Sequence, residues 1–177
     1  MSKCATSVFL TVGNIDPFDR LVQAFDEWIL TRPSDCRKEI IAQIGYGRYI
    51  PKNCPYVRFL PPLDYRNTFE RAQLVVAHAG MGTIITAVEL GKPLIVMPKL
   101  ASLGEQRNEH QLATVREFRK LPFLQVADSE ADLPQILNMA IEETATSHRF
   151  QCKKSGVENY QPNPTLINFV SEFVNQS

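Results

Sequence analysis

Residues Leu74-Val-Val-Ala-His78-Ala-Gly80-Met81-Gly82-Thr83-Ile-Ile-Thr86 constrain the fold of this chain more than any other stretch. An apolar run of strand length stops at a histidine, two glycines follow, and a helical pattern opens at Thr83. Such a stretch hands a buried strand over to a helix whose first backbone amides have no intrahelical partner. Gly80 and Gly82 lack a Cβ, so a ligand can approach the main chain there. The dipole adds about half a positive elementary charge at the helix start. Strand, glycine turn and helix start together suit an anion such as phosphate. The same pattern also serves as an ordinary strand-to-helix turn, and the flanking segments have to decide between the two.

Those segments repeat the alternation. Val8 to Val12, Glu39 to Ile44, Tyr56 to Leu60, Gln73 to Ala77, Pro93 to Met97 and Phe123 to Val126 read as strands. Asp16-Pro17 reads as an N-cap followed by proline in the first turn, ahead of Phe18, Leu21, Val22, Phe25, Trp28 and Ile29 at helical spacing. Further helices are expected over Asp64 to Ala72, Thr83 to Leu90 (ended by Gly91), Glu105 to Lys120 and Ser129 to about Ala145. Residues 147–162 read as an irregular connector and 163–176 as a last amphipathic helix. Strands alternating with helices predict an α/β fold: a doubly wound, Rossmann-like parallel sheet of about six strands with helices on both faces. At 177 residues the expectation is one domain over 1–177. Ligands of such sheets bind beyond the carboxyl ends of the strands. That rim would carry Gly13, Asn14, His78 to Thr83 and Lys99 to Gln111.

Composition excludes other classes. Nineteen basic and nineteen acidic residues leave no basic footprint for nucleic acid. No apolar run approaches the roughly 20 residues that span a bilayer. The first apolar stretch is too short for a signal-peptide core, so a cytoplasmic location is expected. Cys4, Cys36, Cys54 and Cys152 form no CxxC pair and are expected to be reduced thiols, with no bound metal.

Three local features bear on chemistry. Thr11-Val-Gly13-Asn14 is a second glycine turn on the rim, but it continues neither as GxGxxG nor as GxxxxGK[ST]. No GxSxG elbow occurs, which argues against a serine hydrolase. After the apolar run to Pro98, Glu105, Arg107, Asn108, Glu109, His110 and Gln111 cluster at a loop-to-helix junction. Carboxylates and amides suit sugar hydroxyls, and arginine or Lys99 suits phosphate. A solvated helix start with capping acids gives the same pattern.

In this order, VFLTVGN…FDRLV, HAGMGT, ELGKPLIVMP and NEHQLA resemble the C-terminal, donor-binding half of GT-B glycosyltransferases. They are most similar to the small subunit of two-component UDP-sugar transferases of dolichol-oligosaccharide and bacterial exopolysaccharide synthesis. The resemblance covers about residues 7 to 120. It implies a diphosphate site at His78, Gly80, Met81, Gly82 and Thr83, with His78 the catalytic candidate. It places the donor sugar near His110 and Gln111, and Glu105, Arg107 and Asn108 belong to the same rim. Gly13-Asn14 would face donor and acceptor. Many members hold the ribose with a glutamate five residues before the glycine of GxP. Here that residue is Thr86, with Glu89 three residues later. Asn14 stands where threonine or serine is commoner. The resemblance further implies a UDP-sugar donor, no metal cofactor and a lipid-linked glycan acceptor. It also implies a membrane-anchored, acceptor-binding partner subunit that holds this one peripherally at the membrane. A non-catalytic regulatory protein that retains the half-fold is the alternative, and Thr86 is its best support.

Overall fold

The structure is a computed structural model and describes residues 6–146. The expected connector at 147–162 and helix at 163–176 lie outside the described residues. Among the described residues six strands and five α-helices follow in the order β1 (Val8–Thr11), α1 (Asp19–Leu30), β2 (Ile40–Gln43), β3 (Tyr56–Val57), α2 (Pro62–Arg71), β4 (Leu74–His78), α3 (Met81–Glu89), β5 (Leu94–Met97), α4 (His110–Phe118), β6 (Leu124–Val126) and α5 (Leu133–Thr146). All neighbouring strands are parallel, in the order β3-β2-β1-β4-β5-β6. This is the expected doubly wound sheet.

Side-chain alternation divides the core. Val8 and Leu10 of β1, with Leu74 and Val76 of β4, pack against α1 and α5 through Leu21, Phe25, Leu133 and Leu137. Phe9 of β1, with Val75 and Ala77 of β4, packs on the opposite face against Phe69 of α2, Ile84 of α3 and Phe118 of α4. Both faces of the sheet are covered, which is why the strands read as continuous apolar runs.

The winding reverses after β3. The chain leaves that edge through α2 and returns as β4 beside β1 (Val8 opposite Leu74, Thr11 opposite Ala77). A crevice therefore opens beyond the carboxyl ends of β1 and β4, the place where open α/β sheets bind ligands.

Helix α5 starts at Leu133 rather than Ser129, because Ser129 N and Oγ donate to Asp132 Oδ2 and hold a turn ahead of it. Two further expected starts are displaced by tertiary contacts. Asp16 does not cap α1. The N-cap is Phe18, without a side-chain cap, and the Asp16 carbonyl instead accepts from Lys99 Nζ at 2.6 Å. Burial of Phe18, 0% exposed, overrides the Asp-Pro signal. Helix α4 begins at His110 rather than Glu105, because the side chains of Glu105 and Gln106 bond the backbone of Leu100 and Lys99 and hold a loop. A 3-10 segment, Ser34–Glu39, has no counterpart in the sequence reading. It carries Cys36, which is disulfide-bonded, correcting the expectation of four reduced thiols. Cys54 is a free thiol.

Candidate functional site

His78 is the last residue of β4 and lies opposite Met97 of β5. Its imidazole occupies the space that two glycines leave open. A Cβ on Gly80 would fall 2.2 Å from His78 Nε2, and one on Gly13 would fall 2.7 Å from His78 Cε1. Gly13 also has a φ of 81°, in the left-handed region that side chains disfavour. Thus Gly80 is bare for the sake of its neighbour's ring, and the turns after β1 and β4 meet through that ring. His78 Nδ1 is buried without a hydrogen-bond partner. Burial, and then the Lys99 ammonium, push the His78 pKa down to about 4, against an opposing contribution from the Thr11 backbone. The imidazole is therefore neutral at physiological pH.

Helix α3 starts immediately afterwards. Its N-cap, Gly80, is extended and makes no side-chain cap, and the first turn holds no acid. Thr83 N and Ile84 N both donate to Gly80 O at 3.1 Å. The amides of Met81 and Gly82 have no partner among the described residues. A Cβ on Gly82 would meet nothing within 4 Å. Two free amides at the positive end of a helix, with an unobstructed approach, can bind an anion.

Other expected ligand groups of α3 face elsewhere. Thr83 is 7% exposed. With Thr11 it acts on the Tyr65 hydroxyl, whose pKa burial raises and these two side chains lower. Thr86 Oγ1 donates to Gly82 O at 2.8 Å, back along its own helix. Glu89 is half-exposed and lies 3.9 Å from Arg66.

The loop after β5 supplies buried charge. Lys99 is 3% exposed. Its amide donates to Gln111 Oε1 at 3.0 Å and its carbonyl accepts from Gln106 Nε2 at 2.8 Å. Burial lowers the Lys99 pKa, while Asp16 and Glu105 oppose that shift. Arg20 of α1 bonds both Glu105 oxygens at 3.0 and 2.9 Å, Glu130 at 2.9 Å and the Pro98 carbonyl at 3.1 Å. The pairing with Glu105 raises the Arg20 pKa above its ordinary value. Arg20 and Lys99 both lie over the Phe18 ring, at 5.3 and 5.7 Å.

The structure thus gathers Gly13, His78, Gly80, Met81, Gly82 and Lys99 around one crevice. It places Glu105 and Gln111 in the scaffold of the β5 loop. Arg107, Asn108 and His110 are exposed on that loop and the start of α4, and Asn108 Oδ1 accepts from His110 N at 3.3 Å. Sequence reasoning missed Arg20, because a polar residue on an amphipathic helix carries no local sign of a partner 85 residues away. Among the described residues no group of three or more His, Cys, Asp or Glu is placed to hold a metal ion. No described helix is long and apolar enough to cross a membrane.

Sheet order and helix placement define a Rossmann-like domain whose uncapped α3 start lies at the switch point of the sheet. Residues 7–161 match the glycosyltransferase family 28 C-terminal domain, and the chain belongs to that family. It is 30% identical over 126 residues to the Homo sapiens UDP-N-acetylglucosamine transferase subunit ALG13, covering 64% of this chain and 10% of that protein. The Mus musculus counterpart is 29% identical over 119 residues, 63% of this chain and 10% of that protein. The chain spans about a tenth of the length of the curated relatives it matches. In fold it is similar to the kitacinnamycin glycotransferase (TM-score 0.59, 19% identity, 99% of this chain and 40% of that one). It is also similar to Os79 from O. sativa, solved in complex with UDP (TM-score 0.54, 14% identity, 95% of this chain and 41% of that one).

Proposed function

We propose that this chain is the donor-binding half of a UDP-sugar glycosyltransferase. The reading rests on one observation above all: the free amides of Met81 and Gly82 at the uncapped start of α3, beside the crevice between β1 and β4. Departure of a sugar from UDP leaves charge on the diphosphate. Fixed amide donors and the nearby Lys99 ammonium stabilise that charge without reorganising during the reaction. Removal of one such donor elsewhere costs about 2.7–4 kcal/mol of transition-state stabilisation. Neutral His78, held by Gly13 and Gly80, is the catalytic candidate: its imidazole can donate one hydrogen bond to a phosphate oxygen. Gly13, Asn14, Arg107, Asn108 and His110 complete the substrate rim, while Glu105 and Gln111 brace the loop after β5 and Thr83 and Thr86 support the start of α3.

The acceptor site belongs to a second half, which we place on a membrane-anchored partner subunit that takes a lipid-linked glycan. The similarity to ALG13, a transferase subunit, supports this division of labour. Calorimetric titration of UDP into the full chain tests the donor site, with saturable binding expected. Co-expression with a candidate partner and assay of UDP-sugar transfer tests the rest. Transfer is expected only from the complex, and a chain that transfers sugar alone overturns the partner model. Absence of UDP binding, alone and with the partner, supports a non-catalytic role instead.

A further inference from the structure

A buried polar relay underlies the carboxyl end of β1. Gln43 ends β2 in register with Thr11 and is 1% exposed; Thr11 is 0% exposed. Gln43 Oε1 accepts from Leu60 N at 2.9 Å. Gln43 Nε2 donates to Thr11 Oγ1 and to Asn14 Oδ1, both at 3.3 Å. A primary amide in this otherwise apolar interior is costly unless both its ends are satisfied.

The directions of these bonds are forced. A backbone N–H only donates, so Leu60 fixes which end of Gln43 is the oxygen. The other end, Nε2, also only donates, so Asn14 must turn its oxygen inward. Asn14 Nδ2 then remains as the outward end of an exposed side chain, with no partner among the described residues. Thr11, accepting from Gln43, keeps its own proton free to donate. Asn14 follows Gly13, whose carbonyl lies 3.1 Å from the Cβ position of Gly45, so the loops after β1 and β2 are packed together above the relay.

We propose that Gln43 is a positioning residue that sets the polarity of Asn14, so that the loop after β1 offers a hydrogen-bond donor to an oxygen of a nucleoside diphosphate in the crevice. The inference rests on the donor-site reading above. Ionised phosphate oxygens only accept, so an asparagine turned the other way would present the negative end of its dipole to them.

The test uses the full chain and UDP. In Gln43→Glu the buried carboxyl has a raised pKa. Protonated, it keeps an accepting oxygen for Leu60 N and one O–H donor for Asn14 where the amide has two N–H donors, so only the bond to Thr11 is given up; ionised, it only accepts. Asn14 then turns Nδ2 inward and shows its oxygen to the ligand. The ratio of variant to wild-type UDP affinity should be near one at pH 5.5 and fall about tenfold by pH 8, the effect of one misdirected hydrogen bond. A ratio that does not change with pH overturns the proposal. Asn14→Asp, an exposed site, covers the case in which Gln43→Glu does not fold. It still accepts from Gln43 but loses the outward donor, so at least the same loss of affinity is expected, and unchanged affinity overturns the proposal.

A ligand-free readout separates the two layers. In ¹⁵N NMR of the wild-type chain, the Asn14 side-chain NH2 protons should exchange with solvent as a free amide does. They should shift on addition of UDP. Protected Asn14 NH2 protons in the free protein remove the Gln43 assignment alone. A wild-type chain that binds no UDP removes the donor-site reading and the ligand half of the proposal with it.

Discussion

Acidification should destabilise this protein through His78, and the structure gives the size and sign of the effect. In the unfolded chain the imidazole titrates near 6.5, whereas in the folded one burial and the Lys99 ammonium push it down to about 4. Between those values the unfolded state binds a proton that the folded state refuses, so stability falls as pH falls. Above 6.5 both states are neutral and the penalty vanishes. Below about 4 both states are protonated and the full penalty applies. At ~1.36 kcal/mol per pH unit, the interval corresponds to about 3 kcal/mol. That is a large share of the 5–15 kcal/mol roughly typical of a domain. Urea unfolding at steps from pH 7.5 to 4 should show this decline in the wild type. His78→Gln, which has no titrating ring, should lose the part of the slope that belongs to His78. NMR titration of the His78 ring gives the pKa directly. A value of 6 or above, or equal slopes for wild type and variant, refutes the burial argument. Lys99→Met should move the ring pKa upward, because it removes the nearby cation.

The two glycines of the α3 turn should respond oppositely. Gly80→Ala drives a methyl to within 2.2 Å of His78 Nε2 and should lower the melting temperature, whereas Gly82→Ala meets nothing within 4 Å and should leave stability within about 1 kcal/mol while weakening UDP binding. Equal effects on UDP affinity and melting temperature in both variants would contradict the placement of the free amides. Glu105→Ala leaves Arg20, with its side chain 14% exposed, without its bidentate partner and the Leu100 amide without its acceptor; a loss of about 2–4 kcal/mol by denaturant titration is expected. Asp26→Ala should release the loop that follows β2, because the Asp26 carboxylate takes the amides of Lys52 and Asn53 and the Tyr49 hydroxyl. Faster amide exchange at residues 49–53, with protection of the β1 and β4 core unchanged, is the signature. Phe69→Ala removes a fully buried ring packed edge-to-face on Phe9 and should cost about 3–5 kcal/mol.

Hydrophobic spacing and glycine chemistry determined much of this protein without tertiary information. Val8, Leu10 and Phe9 alternate along β1, and each apolar run is short enough for a strand and is followed by helical spacing. That pattern dictates a parallel sheet covered on both faces, and with it the rim on which Gly13, His78 and Gly82 had to fall. Gly91 ends α3 as expected, in the left-handed conformation. Local spacing, however, carries no record of distant partners. The Asp16-Pro17 cap signal yielded to the burial of Phe18, and the expected helix start at Glu105 yielded to Arg20, which claims both carboxylate oxygens from another element. Only the packed structure reveals that Gly80 makes room for an imidazole, that Thr83 turns toward Tyr65, and that Gln43 governs Asn14. Each depends on residues that the chain separates and the sheet brings together, since burial makes the direction of every hydrogen bond matter.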